Sequence, residues 1–166
     1  MGLDGARRIA ESAHLLVWCD GLATEPVPLD ALPPHLEVID ARCGAVASIA
    51  HRLLALQAAR GERTMVAVVA AGSPVQAPEG ILVEDLLLAG AVIDALGAVG
   101  VDATSPEAAV AAAGYQGMRG AAGHLLSASV GGRALAAARG AEAMRAARVR
   151  WESSELVVLR EFELSA

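Results

Sequence analysis

Apolar positions along this chain change period repeatedly, and each change marks the border of an element. Residues 3–13 have helical character, and 14–20 form an apolar run ending on Asp20, as a buried strand does where it meets a loop. In 21–34, Pro26, Pro28, Pro33 and Pro34 forbid regular structure. A second short strand spans 36–40. Helical spacing returns over 45–60, with Ile49, Leu53 and Leu56 on one side and Gly61 placed as a C-terminal cap. The third strand, 65–72, is apolar throughout.

Residues 80–96 form a helix that must be buried, because Leu86, Leu87, Leu88, Val92 and Ile93 leave it no broad polar face. It nevertheless opens with Glu84 and Asp85, in the first turn where the helix dipole favours negative charge. Ser105, Pro106 and Glu107 then supply an N-cap, a first-turn proline and an acid for a helix running toward Met118. Between Gly114 and Gly140, glycines at 117, 120, 123, 131 and 132 predict short helices with close crossings. Residues 155–164 read as a last strand, at an edge because Arg160, Glu161 and Glu163 crowd one end. Strands alternating with helices predict a single layered α/β domain over 1–166 with a mainly parallel sheet. The strand 66–71 is expected at its centre, with the 84–96 helix packed against it.

Composition narrows the functional classes. The chain is 55% hydrophobic but only 2% aromatic, so Ala, Val and Leu must fill the core by close packing of small side chains. A net charge of -6 argues against a nucleic-acid partner, which needs a basic stripe. Arg139, Arg145, Arg148 and Arg150 cluster, but Glu142 and Glu152 interrupt them, and the group reads as a solvated helix face. No uncharged run reaches the roughly 20 apolar residues of a membrane span. Asp4, Arg7, Arg8 and Glu11 do not fit a signal peptide. Cys19 and Cys43 lack metal or redox spacing, so the expectation is a cytoplasmic protein with free thiols. Its apolar excess and Ala-rich helices predict a homo-oligomer, with a dimer favoured.

Strand, short loop, then a helix with acids at its mouth is how open α/β sheets build sites at the carboxyl ends of strands. A cleft is therefore expected between Asp20, the 72–80 loop with Gly72 and Ser73, Glu84 and Arg133. Carboxylates meeting there would repel unless a cation or a proton lay between them. Adjacent helical residues point roughly 100° apart, which favours Glu84 as the group facing the loop and Asp85 as a cap. Arg133 could grip phosphate or sulfonate bidentately, or pair with an acid across the fold. A cysteine-dependent phosphatase is excluded, since the sixth residue beyond Cys19 is Glu25 and beyond Cys43 is Ile49, where an Arg is needed. Cys43 precedes a helix whose dipole can lower a thiol pKa, although a buried, inert thiol is the simpler reading. His14, His35, His51 and His124 are scattered without a triad spacing.

Three ordered motifs in the C-terminal half, and a fourth near the start, carry a resemblance. Residues 83–96 resemble the Leu-Glu-Asp-Leu-Leu-x-Ala-Gly-Ala-Ile/Val-x-x-Ala-Leu signature of the 2-phosphosulfolactate phosphatase family, with Val83 replacing the first Leu. Ser129 to Leu135 is similar to the family's Ser-x-x-Gly-Arg-x-Leu, and 153–159 to its closing Ser-x-x-Val-Pro-Val-Leu. Val17 to Thr24 is similar to its early Val-Asp-Val-Leu/Phe-x-x-Thr. The resemblance implies that family's α/β fold without part of its middle region. It implies a magnesium-dependent phosphatase acting on a small acidic phosphoester such as 2-phosphosulfolactate. Asp20 and Glu84 would be catalytic, Asp20, Glu84 and Asp85 would hold Mg2+, and Arg133, Gly72 and Ser73 would meet the substrate.

The departures are specific. The family's Gly-x-Ser-Pro-like loop and Asn-Gly-Thr/Ser turn have no counterpart between Ala23 and Leu36. Its Asn-Ala-x-Ala element becomes Arg42, Cys43, Gly44 and Ala45, and an acid is lost where Ala71, Gly72 and Ser73 stand. An alternative therefore stays open: an inactive relative that binds a small anion or serves as a structural subunit. Asp20 to Thr24 also resembles the Asp-x-Asp-x-Thr of haloacid-dehalogenase phosphatases, but Leu22 cannot donate a proton and the chain has no Lys. That reading ranks lower.

Overall fold

The computed structural model describes residues 3–72 and 81–162. Its elements are α1 (Leu3–Ala10), β1 (Leu15–Cys19), β2 (Glu37–Asp40), α2 (Val46–Arg60), β3 (Val66–Ala70), α3 (Val83–Ala98), α4 (Pro106–Met118), α5 (Ala122–Ala128), α6 (Val130–Glu152) and β4 (Val157–Arg160). The strands form a mixed four-stranded sheet in the order β3-β1-β2-β4. β1 pairs in parallel with β2 and β3, while β4 runs antiparallel to β2 across a register shift between Val38 and Ile39.

The expected position of the third strand is wrong: β3 lies at an edge, and β1 is interior. The physical reason is that an apolar run reports covered faces, not the number of hydrogen-bonded neighbours. β3 has α1 against it and α3 against it, so its faces are apolar even though one edge ends the sheet. All five residues of β1 are buried, and they alternate between two cores as a pleated strand requires. Leu15, Val17 and Cys19 face the core shared with α2, α3, α5 and α6, which includes Ile49, Leu53, Leu88 and Trp151. Leu16 and Trp18 face the smaller core formed with α1 and the proline-rich segment, which includes Ala6, Ala10, Leu32 and Leu36.

α2 ends where expected, on Gly61 in the left-handed region at φ 68, its amide bonded to the Gln57 and Ala58 carbonyls. α3 is buried nearly all round because the sheet and α2 take one side and α4 the other. A Cβ added at Gly90 would lie 2.3 Å from the Ala111 carbonyl oxygen, so the α3–α4 crossing depends on that glycine. Ser105 caps α4 by accepting from the Ala108 amide at 3.2 Å.

Short helices were expected up to Gly140, and α5 is one; α6 spans 23 residues but is broken at Gly140 into two limbs, the first ending where the glycine pattern placed it. Ser129 starts α6 by accepting from the Gly132 amide at 2.8 Å, and Gly140 kinks it with φ 82 and ψ 172. β4 is an edge strand, as its charges suggested, and the Arg160 guanidinium ties it down by donating to the Leu36 carbonyl at 2.9 Å and the Pro33 carbonyl at 2.6 Å. Among the described residues, no helix is long and apolar enough to cross a membrane.

Candidate functional site at the carboxyl edge of the sheet

β1 and β3 are parallel neighbours, so their carboxyl ends lie together, and α3 begins beside them. Asp85 joins all three. Its Oδ1 accepts from the Gly21 amide, just past β1, and its Oδ2 from the Gly72 amide, just past β3, each at 2.8 Å. The first turn of α3 thus clasps two strand ends. Burial raises the Asp85 carboxyl from 3.8 to about 7, the charges of Asp20 and Glu84 add to the rise, and the two amides oppose it. Asp85 therefore takes up a proton far more readily than an ordinary aspartate, which eases repulsion among the acids as pH falls below about 7.

Glu84 stands next to this clasp. A Cβ at Gly21 would come within 3.0 Å of both the Glu84 Cβ and its carbonyl oxygen, so the loop after β1 lies directly on this residue. Glu84 is only 1% exposed, and neither of its carboxylate oxygens has a hydrogen-bond partner among the described residues. Burying a carboxyl without a partner costs free energy.

Asp20 folds back on its own loop. Its Oδ1 accepts from the Leu22 amide at 3.1 Å and the Ala23 amide at 2.7 Å, closing a turn in which Ala23 takes a positive φ of 50. Burial raises the Asp20 carboxyl, while the Ala23 and Leu22 amides and the charge of Arg150 pull the other way.

Arg150, read from the sequence as part of a solvated face, is instead half-buried at this edge. Its Nη1 donates to the Asp20 carbonyl at 3.1 Å and its Nη2 to Asp40 Oδ1, at the end of β2, at 2.5 Å. The signal was present in α6: Ala147 and Trp151 are the buried pair one turn apart, and Arg150 flanks them where a long side chain reaches along apolar surface. Arg133 makes no ion pair among the described residues; it is exposed, and its Nη1 donates to the Ala128 carbonyl at the end of α5, at 2.5 Å. Ser73 and the rest of 73–80 lie outside the described residues.

Neither thiol is activated. Burial raises Cys19 strongly, and it raises Cys43 as well, overriding any effect of the helix that follows. The Cys43 sulfur lies 3.9 Å from the Tyr115 hydroxyl.

A magnesium ion takes oxygen ligands in octahedral array and usually keeps several waters. Among the described residues, most of the donors here are already committed. Both Asp85 oxygens and one Asp20 oxygen are already bonded to backbone amides, and Glu84 is closed off from solvent. Among the described residues no group of three His, Cys, Asp or Glu side chains is placed to hold a metal.

The arrangement is that of a mixed α/β domain with an acid clasp at the carboxyl edge of its sheet. Comparison with family models, with curated proteins and with solved structures finds no match.

Proposed function

We propose that this chain is a non-hydrolytic relative of the 2-phosphosulfolactate phosphatases that binds a small anion. The observation that carries this reading is the commitment of the acids. Asp85 uses both oxygens to hold Gly21 and Gly72, and Asp20 uses one to close its own turn. Phosphomonoester hydrolysis needs metal, water and phosphate positioned together, and these carboxyls are positioned as struts. The anion is taken by arginine, for Arg150 brings a guanidinium to the ends of β1 and β2. The family's mainly parallel fold, with β4 as an antiparallel addition, belongs to the same reading.

Calorimetry with magnesium, then with phosphate and methanesulfonate, tests it. The expected result is magnesium-independent anion binding, with no magnesium-stimulated release of phosphate from 2-phosphosulfolactate. One observation favours the expected phosphatase as a second reading: the unpartnered Glu84 oxygens are groups a cation would satisfy. Magnesium-stimulated turnover, lost on Glu84→Gln, would establish that reading instead. A cytoplasmic homo-oligomer accompanies the first reading, supported by exposed Val110 and Met118 on α4. Sedimentation as a 16.8 kDa monomer would remove the oligomer.

A further inference from the structure

We propose that the cleft between the end of β2 and the distal part of α6 is a binding site for a tetrahedral oxyanion, the phosphate or sulfonate group of a small molecule. The inference rests on the small-anion reading and supplies its location and ligand class. Arg42, Arg145, Arg150 and Ser153 line a cleft of about 620 Å³, together with Glu142 and Glu155. The cleft is shallow and open to solvent, which suits a group held by charge rather than by enclosure. Arg42 follows β2 directly, and Arg150 rests on Asp20 and Asp40, so the cleft stands at the carboxyl edge where parallel strands present ligands.

The arginines and the acids of this cleft are held very differently. The Arg42 and Arg150 side chains are 16% and 20% exposed, and both are anchored: Arg42 to the Ser153 hydroxyl at 3.3 Å, Arg150 to the strand ends. Their counterparts facing solvent are loose. Glu155, paired with Arg42, is 69% exposed, and Glu142, paired with Arg145, is 82% exposed. The Arg145–Glu142 pair is exposed on both sides and therefore weak, and Glu155 meets Arg42 from the solvent side, so both carboxylates can turn away into water. Once they turn away, three guanidinium charges outnumber the carboxyls that remain beside them, Asp40 and Asp20, and the excess positive charge suits an anion. A guanidinium fork also matches two oxygens of a phosphate or sulfonate. Arg42 also keeps a buried Nε–H with no hydrogen-bond partner among the described residues. Glu142 and Glu155 thus act as stand-ins for the ligand, neutralising the arginines until an anion replaces them.

Arginine-detected NMR and calorimetry with inorganic phosphate and with sulfate test the proposal on the full chain. Phosphate is expected to shift the Nε–Hε signals of Arg42, Arg145 and Arg150. The double substitution E142Q/E155Q is expected to tighten binding about two- to fivefold by removing the competing carboxylates, and Arg145→Gln to weaken it by a similar factor. Both variants alter exposed side chains, and circular dichroism checks that they fold. Phosphate binding that is indifferent to both variants, with the Arg42 and Arg145 signals unmoved and only Arg150 shifted, overturns the cleft while leaving the small-anion reading intact. No binding of phosphate or sulfate to the native chain or to E142Q/E155Q overturns both.

Discussion

The amino end of α3 and the distal part of α6 both bring charge to the same edge of the sheet, and they use it in opposite ways. At α3 the charges are acids without a cation on them, sealed from solvent, and Asp85 is bonded to the backbone of two strand ends. At α6 the charges are arginines in an open cleft, and their outermost partners are exposed carboxylates on the surface. Burial decides the difference. A charged group sealed into an apolar core must be neutralised or fully bonded, so it becomes part of the framework. A charged group at a wet cleft keeps exchangeable partners, so it stays available to a ligand. In this chain the acid motif marks architecture, and the proposed anion binding rests on the cations.

The sharpest way to break that contrast is at the clasp. Asp85→Ala leaves the Gly21 and Gly72 amides without their acceptor, and a loss of about 3 kcal/mol is expected by chemical denaturation. A loss too small to measure would mean that the clasp is not structural. Next in size, Glu84→Met replaces an unpartnered buried carboxyl with an apolar side chain of similar bulk, and a gain of about 1–2 kcal/mol is expected. If this variant is instead less stable, the carboxyl is engaged by something, and the two regions are less unlike than described.

A pH series sharpens the same point. The folded state keeps the Asp85 proton between 3.8 and about 7, where the unfolded chain has lost it. This group's contribution to stability is therefore full below the unfolded value, declines as pH rises through that window, and is flat above it. Denaturation midpoints should fall across the window, and Asp85→Ala should remove that fall. A rise would mean that the amides outweigh burial and hold the carboxylate ionised. The smallest effect belongs to the other region: Arg145→Gln should change stability by less than about 0.5 kcal/mol, because the Arg145–Glu142 pair is exposed on both sides.

Much of the framework was legible because it follows from local patterns. The cap at Gly61, the Ser105 start of α4 and the burial of α3 all arise from neighbours along the chain or from a lack of polar surface. Strand order was not legible in the same way. β3 and β1 are both apolar runs, and which of them has two strand neighbours is set by pairing between distant segments. At the site, the acids were found because they sit in a recognisable helix opening, but their roles depended on which amides came within reach. Asp85, expected as a cap, turned out to bridge two strand ends, while Glu84, expected to face the loop as a ligand, was sealed beneath it. Arg150 escaped notice because charge counting treats a helix face as uniform, whereas its partners Asp20 and Asp40 lie 130 and 110 residues away.

Gly140 gives the long helix a separate consequence, one of cooperativity. Helical winding spreads residue by residue through successive hydrogen bonds, and a backbone at φ 82 and ψ 172 interrupts that spread. The proximal limb is fixed by its Ser129 cap and by Gly132, where a Cβ would lie 2.2 Å from the Leu126 carbonyl oxygen. The distal limb is fixed separately, through Ala147, Trp151 and the bonds of Arg150. The two limbs are therefore expected to open and close as independent units, each with its own rate of amide exchange. If the proposed anion settles on Arg145 and Arg150, hydrogen exchange should slow in the distal limb and leave the proximal limb and α5 at their native rates.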